Sequence, residues 1–586
     1  MKRLIVGIAV AMACLTAGAQ SVLPPVWKQN ESNMQISSRT VAYLPATRIV
    51  WQETTGDSSI TGLENLLLPG NGQADLFDGQ IARIKNGLTG KCSFLLDFGR
   101  ELQGGIQIVT GRSSQKEVKV RVRFGESVSE AMCDITPENG VTNDHAIRDF
   151  QLTLPWLGVA EIGNSGFRFV RVDLEEPNVE LSLKEVRATF GYRNIPYLGS
   201  FRSDNERLND IWMTGAYTVH LNMQEFIWDG VKRDRLVWIG DLHPELMTVN
   251  TVFGYNEVIP KSLDLIRDTT PLPNWMNGIS SYSIWWLLIH RDWYRYQGDL
   301  AYLQEQKSYM TSLLNHLMTK IDGKGKETLD GTRFLDWPSS PNVKGVDAGL
   351  QALMVMAMQA GADMAEAMGD KDLAVRCKKT EKRLLKYIPE HNQSKQGAAL
   401  MALAGLINAE KVDKEVLSVG GSRNFSTFYG YYMLEAMAMA GNYQGAMDII
   451  SEYWGAMLDL GATTFWEDFN IEWTKNAARI DELVPEGKVD VHRNYGDYCY
   501  KGFRHSLCHG WASGPTAWLS RHVLGVEVVE PGFKKVRIVP HLGNLNWVEG
   551  TFPTPMGVIT IKHVKGVDGK VVSDIQVPEG VEIVEK

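Results

Sequence analysis

Apolar and polar positions alternate one by one through the first third of the chain. Val118-Lys119-Val120-Arg121-Val122-Arg123-Phe124 does so without a break, the pattern of a strand with one face in water. Phe167-Arg168-Phe169-Val170-Arg171-Val172 repeats the habit, and Phe94 to Gly99 and Gly104 to Val109 are apolar runs punctuated by glycine. Short strands with Gly-rich turns predict a β-sandwich over 20–199. Near Ser200 the period lengthens. As far as Leu524, apolar residues recur at three and four, in segments bounded by Gly, Pro and Asn. Tyr431 to Ala440 predicts one helix, stopped by Gly441, and Gln444 to Leu458 the next, so the two read as a helical hairpin. Roughly ten to twelve such helices fit 200–524, a number that suits a closed toroid of helix pairs. From Gly525 the strand pattern returns, with Lys535 to Pro540 and Gly557 to Ile561, and predicts a second sandwich over 525–586.

The N-terminus reads differently. Lys2 and Arg3, an apolar stretch from Leu4 to Leu15, and Ala17-Gly18-Ala19 have the order of an export leader, 1–19, with its cleavage site. The apolar run is too short to span a bilayer, and nothing later approaches the ~18 residues that would. The expected compartment is the periplasm or the medium; lipid attachment at Cys14 is disfavoured, because Ala11 stands where a large aliphatic residue is wanted. Five cysteines remain after the leader: Cys92, Cys133, Cys377, Cys499 and Cys508. An odd number at irregular spacing reads as buried thiols, with a Cys499–Cys508 bridge as the alternative. The net charge of −9 over 586 residues, without a basic run, excludes a nucleic-acid footprint. Seventeen tryptophans in an acidic chain point instead toward carbohydrate, whose ring faces stack on indole.

Two stretches concentrate chemistry. Trp228 to Glu245 places four carboxylates, three cations, a histidine and two tryptophans in one break between helices, with glycine interleaved. Gly461 to Asn470 carries Trp466, Glu467 and Asp468 after a glycine break. A carboxylate among aromatics is partly desolvated, which raises its pKa toward the range useful for acid–base work. Two such clusters are what hydrolysis of a glycosidic bond uses: one acid to protonate the leaving oxygen, another to activate water or attack the sugar. Asp336-Trp337-Pro338 is a lesser candidate. Trp285, Trp286 and Trp293 fall at helical spacing, as core residues do. His505 and His509 are four apart, but Gly502, Gly510 and Gly514 argue against a helix there, and no metal motif is completed. A nucleotide-type glycine loop and a Gly-x-Ser-x-Gly elbow are both missing, so neither a cofactor nor a serine nucleophile is expected.

With these motifs the chain resembles the bacterial α-L-rhamnosidases of glycoside hydrolase family 78. That family opens its toroid with Asp-x-Pro-x-Arg-Glu-Arg-x-Gly-Trp-x-Gly-Asp, and Asp229, Arg233, Arg235, Trp238, Gly240 and Asp241 keep the spacing. A second motif, Thr-Thr-x-Trp-Glu, is matched by Thr463, Thr464, Trp466 and Glu467. Supporting matches are Phe94 to Gly105, Gly199-Ser200-Phe201, Asp336-Trp337 and Pro553 to Gly557. The resemblance implies an (α/α)6 toroid flanked by N- and C-terminal β-sandwiches, and an inverting mechanism. By it Glu467 is the general base, while Asp229, Arg233 and Asp241 hold sugar hydroxyls. Trp238, Trp337 and Trp466 wall the sugar site with Asp336 beside them, and His509 and Trp511 fall in a sugar-contacting region.

The family's general acid is Glu, and here the position is Asp234, one methylene shorter. Gly230-Val231 also replaces a Cys-Pro type pair, and Val237 a glycine. If Asp234 does not serve, Asp241 and Glu245 are the nearest substitutes. The leading expectation is an exported enzyme that releases terminal α-L-rhamnose from glycans. The alternatives are the same fold acting on another sugar, such as an unsaturated uronyl residue met by Arg233 and Arg235, and a non-catalytic carbohydrate-binding descendant.

Overall fold

The computed structural model describes residues 37–76, 79–136, 148–498 and 500–585. The leader at 1–19, with Cys14, and Cys499 lie outside the described residues. Cys92, Cys133, Cys377 and Cys508 are free thiols.

In the N-terminal region nine strands share one hydrogen-bond network. Alternation works as the sequence suggests: in Glu117–Gly125 the residues Val118, Val120 and Val122 are buried, while Lys119 is exposed. The apolar runs around Phe94 and Ile106 are two halves of a single strand, Cys92–Thr110. Its first half lies between Arg48–Thr54 and Val159–Leu174, and its second half between Val159–Leu174 and Val179–Arg193. The register breaks between Asp97 and Leu102, and Gly104 is essential to the second half. At φ 146° it lies so close to the neighbouring strand that a Cβ would stand 1.9 Å from the Thr189 carbonyl oxygen.

Residues from Glu206 onward form the helical ring. Six helices line its inside: Leu242–Val252, Ser280–Gln297, Val343–Ala367, Lys395–Leu403, Gly430–Met439 and Gly514–Trp518. Each packs on the next, and the last packs back on the first. The other six are Glu206–Asn222, Val258–Thr269, Leu300–Thr319, Lys371–Leu384, Ala409–Val412 running on to Leu417, and Tyr443–Ile449 running on to Asp459. Burial separates the two sets. Every residue of Leu242–Val252 is buried, whereas Lys371–Leu384 buries only Leu373, Ala374, Cys377 and Leu384. A helix apolar all round has protein on every side, and one with a single stripe faces water. Seven of these helices begin on an Asn, Asp or Ser whose side chain accepts an N–H of the first turn: Asn205, Asp299, Asn342, Asp370, Ser394, Asn408 and Asn442. Trp285, Trp286 and Trp293 are core residues of Ser280–Gln297.

The two flanking sheet regions join the ring in different ways. Ser200–Ser203, just ahead of the first helix, pairs with Trp547–Thr554 and so belongs to the C-terminal four-stranded sheet. The ring's apolar core continues without interruption into that sheet through Phe552, Ile559 and Ile561. The N-terminal strands have an apolar core of their own. No helix among the described residues is long and apolar enough to cross a membrane.

Candidate active site

The charged cluster read at Trp228–Glu245 is an irregular loop between Glu206–Asn222 and Leu242–Val252, folded on itself. The Leu236 N–H donates to Asp229 Oδ1 at 2.9 Å, and the Asp229 N–H to the Leu236 carbonyl at 3.1 Å. The turn inside this closure carries Asp234 and Arg235 with φ of 54° and 53°. Left-handed backbone at two successive non-glycine residues is costly and persists where the surroundings over-determine it. Gly240 lets the loop lie on Tyr282, whose ring would be 2.3 Å from a Cβ there.

The segment carrying Glu467 meets this loop from the other side. Its two threonines are braces: Thr463 Oγ1 accepts the Glu101 N–H at 2.9 Å, and Thr464 Oγ1 donates to the Leu507 carbonyl at 2.7 Å. The Glu467 carbonyl accepts both the Trp511 indole N–H, at 2.9 Å, and the Thr427 hydroxyl, at 2.6 Å. A short bridge between Gly230 and His509 ties the segment after it to the loop.

Between the two segments lies a cavity of about 140 Å³, lined by Asp229, Arg233, Asp234, Trp238, Asp241, Trp337, Glu467 and His509 together with Tyr282, Phe334, Tyr500 and Trp511. One guanidinium organises it. Arg233 Nη1 is 2.6 Å from Asp234 Oδ1, Nη2 is 2.5 Å from Glu467 Oε1, and Nε donates to the Arg504 carbonyl at 2.9 Å. The second oxygen of Glu467 accepts the Ser506 N–H at 3.1 Å. His509 Nε2 lies 3.5, 3.6 and 3.9 Å from Glu467, Asp229 and Asp241. Burial pushes the His509 pKa down to about 4, against the pull of the Glu467 carboxylate, so its ring is neutral near pH 7.

Burial, with Asp234 nearby, pushes the Asp229 pKa up to about 8. Burial raises Asp241 well above the carboxylate range, with Asp229 adding to the shift and the 2.9 Å Tyr282 hydroxyl bond opposing it. Glu245, one turn further along the helix, is likewise raised by burial, and its Oε1 has no hydrogen-bond partner among the described residues. At neutral pH Asp229 is therefore mostly protonated.

A second buried cluster props the loop from behind. Lys232 Nζ lies 3.0 Å from Glu126 and 3.2 Å from Glu130, both in the N-terminal region, and donates to the Phe503 and His505 carbonyls at 2.9 and 2.5 Å. Glu126 also accepts the Leu507 N–H at 2.5 Å and the Ser506 hydroxyl at 3.2 Å. Thus one N-terminal carboxylate braces the residue before Arg233 and, through Ser506, the segment that hydrogen-bonds Glu467. Ligand atoms of Glu126, Glu130 and His492 lie within 4.8 Å of one another, a spacing a metal ion would accept. The Lys232 ammonium already supplies the cation there.

Nine of the eleven residues assigned to the site from sequence, Trp511 included, therefore line one cavity. Asp336 and Trp466 do not. Asp336 is buried and accepts from Ser426 at 2.6 Å, from Gln396 at 3.2 Å and from the Ser339 N–H at 2.9 Å, which holds together the turn that presents Trp337. Trp466 is buried against Phe469 and His505. His505 and His509 lie on extended chain between short 3-10 turns rather than on a helix. Sequence reasoning missed Tyr282, Phe334 and Tyr500, which follow no motif, and Lys232 with its partners Glu126 and Ser506. The one signal for Lys232 was its place beside Arg233.

A closed ring of six helical hairpins, with carboxylates and indoles facing one cavity, is the architecture of the six-hairpin glycosidases. The chain belongs to the family defined by the bacterial alpha-L-rhamnosidase six-hairpin glycosidase domain, which it matches over residues 196–523, and it matches the C-terminal domain of the same proteins over residues 525–584. Its fold is similar to that of a GH78 rhamnosidase of Bacillus sp. GL1, with TM-score 0.74 and 23% identity over 89% of this chain and 55% of that one. It is also similar to a Streptomyces avermitilis alpha-L-rhamnosidase complexed with L-rhamnose, with TM-score 0.68 and 17% identity over 93% and 50% of the two chains. A Klebsiella oxytoca rhamnosidase with rhamnose bound gives TM-score 0.62 and 18% identity over 82% and 96%. The chain thus spans about half the length of the Bacillus and Streptomyces structures. No curated protein sequence matches it.

Proposed function

We propose that the protein is an exported glycoside hydrolase that removes terminal α-L-rhamnose from glycans with inversion, Asp234 acting as general acid and Glu467 as general base. The observation that carries the reading is the single guanidinium of Arg233, which holds both carboxylates at the edge of a cavity with room for one sugar ring. In this scheme Glu467 takes a proton from the water that attacks the anomeric carbon. Asp234 gives its proton to the departing glycosidic oxygen as that bond breaks, and the sugar leaves with the opposite anomeric configuration. Asp229, its pKa pushed up to about 8, carries a proton at neutral pH and can therefore donate as well as accept hydrogen bonds to sugar hydroxyls. Trp238, Trp337 and Trp511 supply apolar walls.

The two cations that could meet a uronate are both engaged: Arg233 with the two carboxylates, and Arg235 with the Asn164 carbonyl at 2.8 Å and the Trp228 ring. A neutral sugar fits this cavity better than an acidic one. The test is hydrolysis of an aryl α-L-rhamnoside, with the anomer of the released sugar followed by NMR. We expect β-rhamnose first. Release as α-rhamnose would overturn inversion, and absence of release would overturn the activity. Asp234→Asn and Glu467→Gln should each lower kcat by about 10²–10⁴, and full activity with both changes present would remove these residues from the mechanism. Export on the 1–19 leader is tested by mass spectrometry of protein recovered outside the cytoplasm, where a new N-terminus at Gln20 is expected.

A further inference from the structure

Asp234 and Glu467 stand on separate segments of the ring, and both segments rest on the N-terminal sheet. On the acid side, three successive residues of Val159–Leu174 hold the loop. The Asn164 carbonyl accepts from Arg235 at 2.8 Å, the Ser165 hydroxyl donates to the Lys232 carbonyl at 3.4 Å, and the Gly166 N–H donates to the Val231 carbonyl at 2.8 Å. The approach at Gly166 is so close that a Cβ would stand 2.8 Å from the Lys232 nitrogen. On the base side, Arg168 of the same strand donates to the Gly461 carbonyl at 3.0 Å, where the Glu467 segment begins.

The base is also held from behind. The Glu467 N–H donates to the Ser506 carbonyl at 3.0 Å, and the Asp468 N–H to His505 Nε2 at 2.9 Å. These two rungs are themselves tied to the N-terminal region. Burial lowers the pKa of His492 and His505 well below the usual range, so both rings are neutral near pH 7. His492 Nδ1 accepts the Ser127 hydroxyl at 2.7 Å, and its Nε2 hydrogen goes to the His505 carbonyl at 3.0 Å.

Glu126 stands where the two sets of contacts meet. Its buried carboxylate lies 3.0 Å from Lys232 Nζ on the acid side, and it accepts from Ser506 and Leu507 on the base side. None of these four residues lines the catalytic cavity.

We propose that Glu126 is a positioning residue for catalysis: from outside the ring it sets how far the Asp234 loop stands from the Glu467 segment. The inference rests on the hydrolase reading. Inversion needs room for a water between base and sugar, and a displacement of about 1 Å can cost ~10²-fold in rate. The N-terminal sheet is by this account a working part of the enzyme.

The experiment is kinetics of the full-length protein on aryl α-L-rhamnosides whose leaving phenols span a range of acidity. Glu126→Leu removes both arms and should lower kcat about 10- to 100-fold, with KM within about twofold of wild type. The loss should be greatest for the least acidic phenols, which depend most on proton donation. Glu126→Gln keeps an oxygen for the Leu507 N–H and should recover most of the rate. Ser506→Ala cuts the base-side arm alone and should lower kcat about 3- to 10-fold, equally for every phenol.

A merely structural Glu126 would give a different result: kcat of Glu126→Leu falling in proportion to the folded fraction, read by circular dichroism, by one factor for all phenols. That outcome, or wild-type kcat, overturns the proposal. Should Glu126→Leu fail to fold, Ser506→Ala decides, and wild-type kcat there overturns it as well. Should the wild type hydrolyse no rhamnoside, the hydrolase reading fails on its own. Crystal structures then decide the positioning: a changed separation of Asp234 and Glu467 in the variant that folds supports it, and an unchanged one overturns it.

Discussion

Two clusters of buried acids flank the same loop, and cations offset the cost of burial in one of them only, where burial nevertheless pushes Glu126 up to about 7. Behind the loop, Glu126 and Glu130 surround the Lys232 ammonium, and Arg148 lies 2.5 Å from Glu130. In front, Asp229, Asp241 and Glu245 have no such partner, since Arg233 is engaged with Asp234 and Glu467. A buried carboxylate without a cation keeps a proton instead. The first solution is rigid: ion and counter-ion fix each other's place and join the N-terminal sheet to the ring. The second leaves acids whose charge depends on pH and on whatever enters the cavity. Scaffold and site are built from the same residue types and separated by where the cations stand.

The hardest blow to this contrast falls on Lys232. Lys232→Met strands two carboxylates in the interior and should lower unfolding free energy by roughly 3–5 kcal/mol, read from denaturant titration. Adding Glu126→Gln should return part of the loss. A cost below about 1 kcal/mol would mean that the rear cluster also relaxes by taking up protons, and the contrast would disappear.

A smaller effect is expected from Asp229. Its pKa is raised from an ordinary value near 4 to about 8 on folding, so the folded state binds the extra proton. The stability this contributes is complete below pH 4 and is lost as pH rises through 8. Asp229→Asn, which resembles the protonated acid, should flatten the fall in unfolding free energy between about pH 4 and 8. An unchanged slope would assign that proton elsewhere. The least perturbing change is Glu245→Gln. It keeps the neutral shape and should alter stability by less than about 1 kcal/mol at pH 6. A loss as large as that of Lys232→Met would reveal an ionised Glu245.

Much of this site was legible because its residues come in two short runs. Asp229, Arg233, Asp234, Trp238 and Asp241 lie within thirteen positions, and one folded loop brings them to one cavity. The assignment failed where residue type was read without orientation. Trp466 and Glu467 are neighbours whose side chains diverge, the indole into the core and the carboxylate into the cavity. Asp336 and Trp337 diverge in the same way, and the acid supports the turn that presents the indole. The ring was readable from its outer helices, whose stripes have a period. Its inner helices are apolar on all sides, so periodicity marks them weakly, and only two of them, those begun by Asn342 and Ser394, carry a side-chain cap. The partnership of Lys232 with Glu126 links residues more than a hundred positions apart and has no local trace. Likewise, the assignment of Ser200–Ser203 to a sheet completed at Trp547–Thr554 is a matter of pairing, which strand pattern alone does not specify.

That last pairing also orders events in time. Ser200 and Thr551, whose hydroxyls are 2.8 Å apart in the finished protein, are separated by 351 residues of chain. At about 5–20 residues per second, a ribosome takes roughly 20–70 seconds to deliver the second after the first. By the end of that interval every helix of the ring has been made, while the strand ahead of the first one still has an open edge, the kind that recruits wrong partners. The C-terminal sheet is thus the last stitch of the ring. Translation that halts before Thr551 would leave a nearly complete, unclosed protein, a natural target for holdase chaperones.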